Sequence, residues 1–88
     1  MKIKEGYLLR HIADTYLVVP VGEMVVNFKG MMVLSDVSAK VWEYLGEDRT
    51  REQIIDYIIH TYDIDRGTAE GDIDHLIAQM ESSGVLAT

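Results

Sequence analysis

The sequence predicts an α+β domain, a three-stranded antiparallel sheet followed by three helices, as a single domain over residues 1–88. Three observations carry that prediction. β-branched and aromatic runs fill the chain as far as Leu34, apolar stripes of helical period fill the rest, and turn or capping residues stand at the boundaries. Strands in one run and helices in the next point away from parallel βαβ units.

Residues 7–13 are rich in apolar and β-favouring side chains, and Asp14-Thr15 is read as a tight reversal. Tyr16-Leu17-Val18-Val19-Pro20 is a β-branched run that stops at the sole proline. Val21-Gly22-Glu23 is a turn in which Gly22 is free to take positive φ. Met24, Val26 and Phe28 then alternate with Val25, Asn27 and Lys29, the period of a half-buried strand. Gly30 interrupts it as a bulge or turn, and Met31 to Leu34 resumes the extended pattern.

Ser35 is placed to cap the first long helix, whose apolar stripe is Val37, Val41, Trp42 and Leu45 and whose end is set by Gly46. Thr50 to Gln53 has the form of a capping box. The helix it opens buries Ile54, Ile55, Ile58, Ile59 and Tyr62. Asp65 or Thr68 caps the last helix, which carries Ala69, Ile73, Leu76, Ile77 and Met80 on one face and stops at Gly84. Val85-Leu86 then pack back. The sheet is one meander or two hairpins, and the helices give the whole a winged-helix-like arrangement.

Composition narrows the function. With 88 residues, 48% of them hydrophobic, the chain forms one core and leaves little room for a deep cavity. There is no cysteine, so disulfides, thiolate metal sites and cysteine nucleophiles are excluded. The first residues lack the apolar segment of a signal peptide, and no apolar run approaches the length of a membrane span; the expected location is cytoplasmic. Acids and bases balance up to Leu45. Beyond it Arg49, Arg51 and Arg66 face ten carboxylates, so the formal charge of −7 sits on the helical half. Such a surface repels phosphate backbones and suits basic or neutral partners.

Catalytic constellations do not emerge. His11, His60 and His75 lie too far apart in sequence for a metal-binding pair. Asp63, Asp65 and Asp72 lack the glycine and terminal glutamate of a calcium loop. No serine sits in a nucleophile elbow and no glycine pattern cradles phosphate. The chain is read as a non-enzyme without cofactor or metal. A strand edge beside helices is its conspicuous asset, and such edges bind peptides.

The chain resembles the PqqD-like family, named for the D protein of pyrroloquinoline quinone biosynthesis. The same domain is called the RiPP recognition element in other peptide-modification pathways. The resemblance spans residues 7–86. It rests on Arg10, on Tyr16-Leu17-Val18-Val19-Pro20-Val21-Gly22, on Val33-Leu34 and on Val41-Trp42-Glu43-Tyr44-Leu45. It continues through Arg49-Thr50 and Tyr62-Asp63-Ile64-Asp65 to Gly84-Val85-Leu86. Ser35 stands where the family usually has Asn, and both residues cap helices well. Asn27-Phe28-Lys29-Gly30 is longer than in the short founding members, which favours a peptide pathway other than pyrroloquinoline quinone.

The resemblance implies a non-catalytic adaptor. Its partners would be the leader segment of a ribosomally made precursor peptide and a modifying enzyme, often a radical-SAM protein, with no nucleic acid and no membrane. The leader would add a strand to the sheet edge and lie against the last helix. Its contacts would be Val25, Val26, Asn27, Phe28, Lys29, Met31, Met32 and Val33 on the edge. On the helix they would be Asp72, Leu76, Ile77, Gln79, Met80 and Ser83. Asp72, Leu76, Gln79 and Ser83 form one shoulder of that helix and Asp74, Ile77 and Glu81 the other; which shoulder faces the strand is open.

Core filling is the default for Met31, Met32 and Trp42, and solvation the default for Arg10, Lys29 and the acidic face. Two other classes remain. A homo-oligomeric scaffold would pair the edge with itself across a two-fold axis. A winged-helix nucleic-acid binder needs a basic recognition helix, whereas the last helix sets Glu70, Asp72, Asp74 and Glu81 against Arg66.

Overall fold

The computed structural model describes residues 1–27 and 32–87, the side chains of Val26 and Asn27 excepted. Its elements are β1 (Tyr7–Ile12), β2 (Thr15–Pro20), α1 (Met24–Asn27), β3 (Met32–Leu34), α2 (Asp36–Tyr44), α3 (Arg51–Tyr62) and α4 (Arg66–Ser83). The strands run in the order β1-β2-β3, both neighbours antiparallel, so the sheet is a single meander.

Ile12 pairs with Thr15, which puts the reversal at Ala13-Asp14, one residue earlier than the sequence suggested. Ala13 takes φ 56°, a left-handed conformation that a side chain resists, so register rather than residue preference sets this turn. Gly22 adopts φ 59°, as its place in the turn predicted.

The expected strand from Met24 to Lys29 is not formed in its described part: Met24–Asn27 is one helical turn, and residues 28–29 lie outside the described residues. The amides of Met24 and Val25 donate to the carbonyls of Val21 and Gly22 (3.3 Å each), which removes them from any ladder. The only described part of the third strand is Met32–Leu34.

The caps follow the sequence closely. Ser35 Oγ accepts the Ser38 amide at 3.1 Å, and Thr50 and Gln53 complete a reciprocal capping box. Asp65, not Thr68, caps α4. Gly84 at φ 73° ends it, with the Val85 amide returning to the Met80 carbonyl. At the end of α2 the cap is Leu45 rather than Gly46.

One face of the sheet lies on the helices. Val18, Met32 and Leu34 join Val41, Trp42, Leu45, Ile54, Ile55, Ile58, Ala69, Ile73, Leu76, Met80 and Val85 in a single buried cluster. The pleat turns Leu8, Arg10 and Ile12 of β1, Leu17 and Val19 of β2 and Val33 of β3 to the opposite face. No buried polar side chain occurs among the described residues.

The N-terminal segment closes the fold. Ile3 bridges Leu86, and the backbone of residues 1–4 exchanges hydrogen bonds with Leu45, Arg49, Val85 and Ala87. The Met1 ammonium meets Asp48 at 2.6 Å.

Charge pairs clamp α3 to α4. Arg51 holds Asp74 through two nitrogens at 2.6 and 2.9 Å, and Arg66 reaches Asp56, Glu70 and Glu52. The Arg51 guanidinium lowers the Asp74 carboxyl below its ordinary value. Hydrogen bonds from Thr68 do the same to Asp65, and the N-terminal ammonium to Asp48. All three carboxyls bind protons more weakly folded than unfolded. Their contribution is therefore complete above the unfolded carboxylate range and is lost as pH falls through the folded values. Thermal unfolding followed from pH 6 to below pH 3 is expected to show Tm falling with acid. Asp74→Asn should flatten part of that fall, and an identical profile would remove the clamp from the account.

Candidate functional site

β1 and β3 are the two edges of the sheet. β3 is the one that runs directly into a groove, because Ser35 follows Leu34 and lines it. The groove measures about 340 Å³ and is walled by Ser35, Val37 and Ser38 at the start of α2 and by Asp72, Ile73, His75, Leu76 and Gln79 of α4. Val37, Ile73 and Leu76 give it an apolar floor, and the serines, Asp72, His75 and Gln79 give it a polar rim.

The helical period explains the α4 wall. Ile73, Leu76 and Met80 point into the core, so the positions beside them on one flank, Asp72, His75 and Gln79, are exposed along the groove. On the opposite flank Asp74 is tied to Arg51. Ile77 and Glu81 line a separate depression of about 440 Å³ with Met1, Lys4, Gly84 and Leu86. The shoulder that lines the groove opposite the start of α2 is therefore the one carrying Asp72, Leu76 and Gln79.

The remaining sequence-derived positions are distributed as follows. Val25, 56% exposed, lies on the α1 turn, as do Val26 and Asn27, so none of the three is part of a strand edge. Phe28, Lys29 and Met31 fall outside the described residues. Met32 is 4% exposed and faces the core, which leaves it a packing role. Val33 is 58% exposed on the outer face of the sheet. Met80 is fully buried and belongs to the core rather than to any surface. Ile77 sits on the far shoulder, and Ser83 is half-buried in the last turn of α4.

Ser38 and His75, and the second role of Ser35 and Val37, were not legible in the sequence. A cap residue and a stripe residue become groove walls only because α2 starts beside the middle of α4. No spacing within either helix signals that.

A second open depression lies under the β1–β2 turn, lined by His11, Asp14, Tyr16, Asp36, Lys40 and Tyr62. His11 stacks on Tyr16 there, with ring centroids 4.1 Å apart. No group of three or more His, Asp or Glu side chains among the described residues is arranged to hold a metal ion. No helix among them is long and apolar enough to cross a membrane.

Together these features define a small α+β domain, a three-strand meander leaning on three long helices, with a groove between the start of α2 and α4 beside the end of β3. The chain belongs to the family of coenzyme PQQ synthesis protein D, PqqD, whose model matches residues 11–86. Among solved structures it is similar to TbiB1 in complex with the TbiA(beta) leader peptide. The TM-score is 0.77 and the identity 25%, over 99% of this chain and 95% of that one. No curated protein matches the sequence significantly.

Proposed function

We propose that this domain is a non-catalytic adaptor that binds the leader segment of a ribosomally synthesised precursor peptide and presents it to a modifying enzyme of the radical-SAM type. The observation that carries the reading is the groove that opens at Ser35, beside the end of β3, in a chain of the PqqD family whose fold is similar to that of TbiB1, solved with a leader peptide. An added strand draws affinity from backbone hydrogen bonds to the edge and selectivity from side-chain pockets. Here Val37, Ile73 and Leu76 offer the apolar contacts, and the polar rim fixes orientation.

The test is a titration of ¹⁵N-labelled protein with leader peptides encoded by small reading frames beside its own. Saturable amide shifts are expected over Met32–Leu34, at Ser35 to Ser38 and along residues 72–79. No shift with any candidate leader, or shifts confined to the far shoulder of α4, would sink this site.

One observation favours a second reading, self-association. Leu8, Ile12 and Val33 are 44%, 59% and 58% exposed on the outer sheet face. Mass that rises with concentration, and falls when a leader peptide is added, would support pairing through the sheet. A nucleic-acid role finds no basic helix: α4 presents Glu70, Asp72, Asp74 and Glu81, and its single arginine, Arg66, is engaged by carboxylates.

A further inference from the structure

We infer that the groove selects a peptide carrying an arginine or lysine whose side chain lies across the apolar floor and ends at Asp72. The inference rests on reading the groove as the peptide site and specifies what that peptide must contain.

Three observations lead to it. First, the arginines of the helical half are already committed. Arg49 pairs with Glu47 and lies over the Tyr44 ring, Arg51 holds Asp74 and Glu52, and Arg66 holds Glu52, Asp56 and Glu70. Within α4, Glu70 and Asp74 thereby acquire cations, whereas the Asp72 carboxylate has no ion-pair or hydrogen-bond partner among the described residues.

Second, among the described residues Asp72 is the single carboxylate in the lining of the groove, and no described lysine or arginine belongs to that lining. The opposite wall is the N-terminus of α2, which could in principle favour an anion. Its first turn is already occupied by Asp36, and Ser35 Oγ takes up the Ser38 amide. Among the described residues the local charge is therefore set by Asp72.

Third, the groove sets apolar lining, Val37, Ile73 and Leu76, beside the polar Asp72, His75 and Gln79. Arginine and lysine are the side chains with that profile, an aliphatic stem and a cationic end. An arginine could donate to Asp72 and still leave an N–H for the Gln79 side-chain carbonyl, whereas a glutamate or aspartate would set like charges together.

The natural leader need not be identified for the test. A phage-displayed library of random 15-residue peptides is selected against the full chain and, separately, against Asp72→Asn and Asp72→Lys. Peptides enriched on the wild type are expected to share a basic residue at one position. For one such peptide, Asp72→Asn and replacement of its basic residue by methionine should each weaken binding about fivefold, and the two together little more than either alone. Selection on Asp72→Lys should move that position to glutamate or aspartate. Glu81→Gln, which alters an α4 carboxylate outside the groove, is the control expected to change nothing, and circular dichroism confirms that each variant folds.

Enriched peptides that compete for the groove yet show no basic preference, and that bind Asp72→Lys as tightly as the wild type, would overturn this inference while leaving peptide recognition standing. Failure to enrich any peptide would overturn peptide recognition itself, and this inference with it.

Discussion

Methylating alternate backbone amides of a bound leader peptide is expected to weaken its binding sharply in one register and spare it in the other. The reason is the geometry of a strand edge. Successive residues of an added strand point their N–H groups alternately toward β3 and toward solvent. An N-methyl group removes the donor and places bulk where the partner strand must approach. The described part of β3 is three residues, Met32–Leu34, so the ladder it can offer is short and each bond is a large share of the total. Losing two bonds costs about 2–3 kcal/mol, or roughly 30- to 150-fold in Kd. Methylation at the solvent-facing positions should change Kd by less than about threefold. Isothermal titration with the two methylated series decides the matter. Equal losses in both series, or none in either, would mean that the peptide docks by side chains alone, and β-addition would be abandoned.

Ile58→Ala is the substitution expected to cost the fold most. Ile58 is fully buried in α3, within the cluster that joins Val18, Met32 and Leu34 of the sheet to Ile73, Leu76 and Met80 of α4. Truncation removes three carbons and leaves a cavity that rigid neighbours on both sides cannot close, a loss of about 3–4 kcal/mol. A domain of this size has roughly 5–10 kcal/mol in total. Tm should therefore fall by roughly 15–25 °C. Ile59→Ala, one residue along but half-buried, should cost less than half as much. Urea unfolding with an unchanged m-value reads both. A loss for Ile58→Ala below about 1.5 kcal/mol would move the centre of the core away from α3.

The helices were the legible part of this chain because each announces itself locally. Ser35, Thr50-Gln53 and Asp65 cap through bonds within four residues, and Ile54, Ile55 and Ile58 or Ile73, Leu76 and Met80 repeat at the helical period. The segment after Gly22 misleads for the complementary reason. Six alternating residues from Met24 to Lys29 satisfy the strand template, yet Met24 and Val25 find their acceptors at Val21 and Gly22, and Met24 packs against Gly6, where a β-carbon would come within 2.5 Å of its Cγ. A contact between residues 6 and 24 leaves no trace in periodicity.

The candidate site was half legible. The α4 shoulder bearing Asp72, Leu76 and Gln79 can be named from the sequence but not preferred over its opposite. The preference depends on Ser35 and Ser38 arriving from another helix, and on Arg51 claiming Asp74 from a third. Met32 and Met80, named both as core filler and as candidate contacts, are buried in the core, because adaptability suits a ligand pocket and a core equally well.

The stitching of residues 1–4 to Leu45, Arg49, Val85 and Ala87 has a consequence for how the domain comes apart. Chain ends ordinarily fray one at a time, and exopeptidases work inward from whichever end loosens first. Here Ile3 and Leu86 are partners, and Lys2 and Ala87 are joined by a 2.7 Å bond, so neither end can peel without releasing the other and uncovering Val85. Opening at the ends and opening of the helix layer become one cooperative event. Release of residues 1–4 and of residues 85–87 is thereby governed by the stability of the helical core, while the groove on the far flank of α4 keeps its walls.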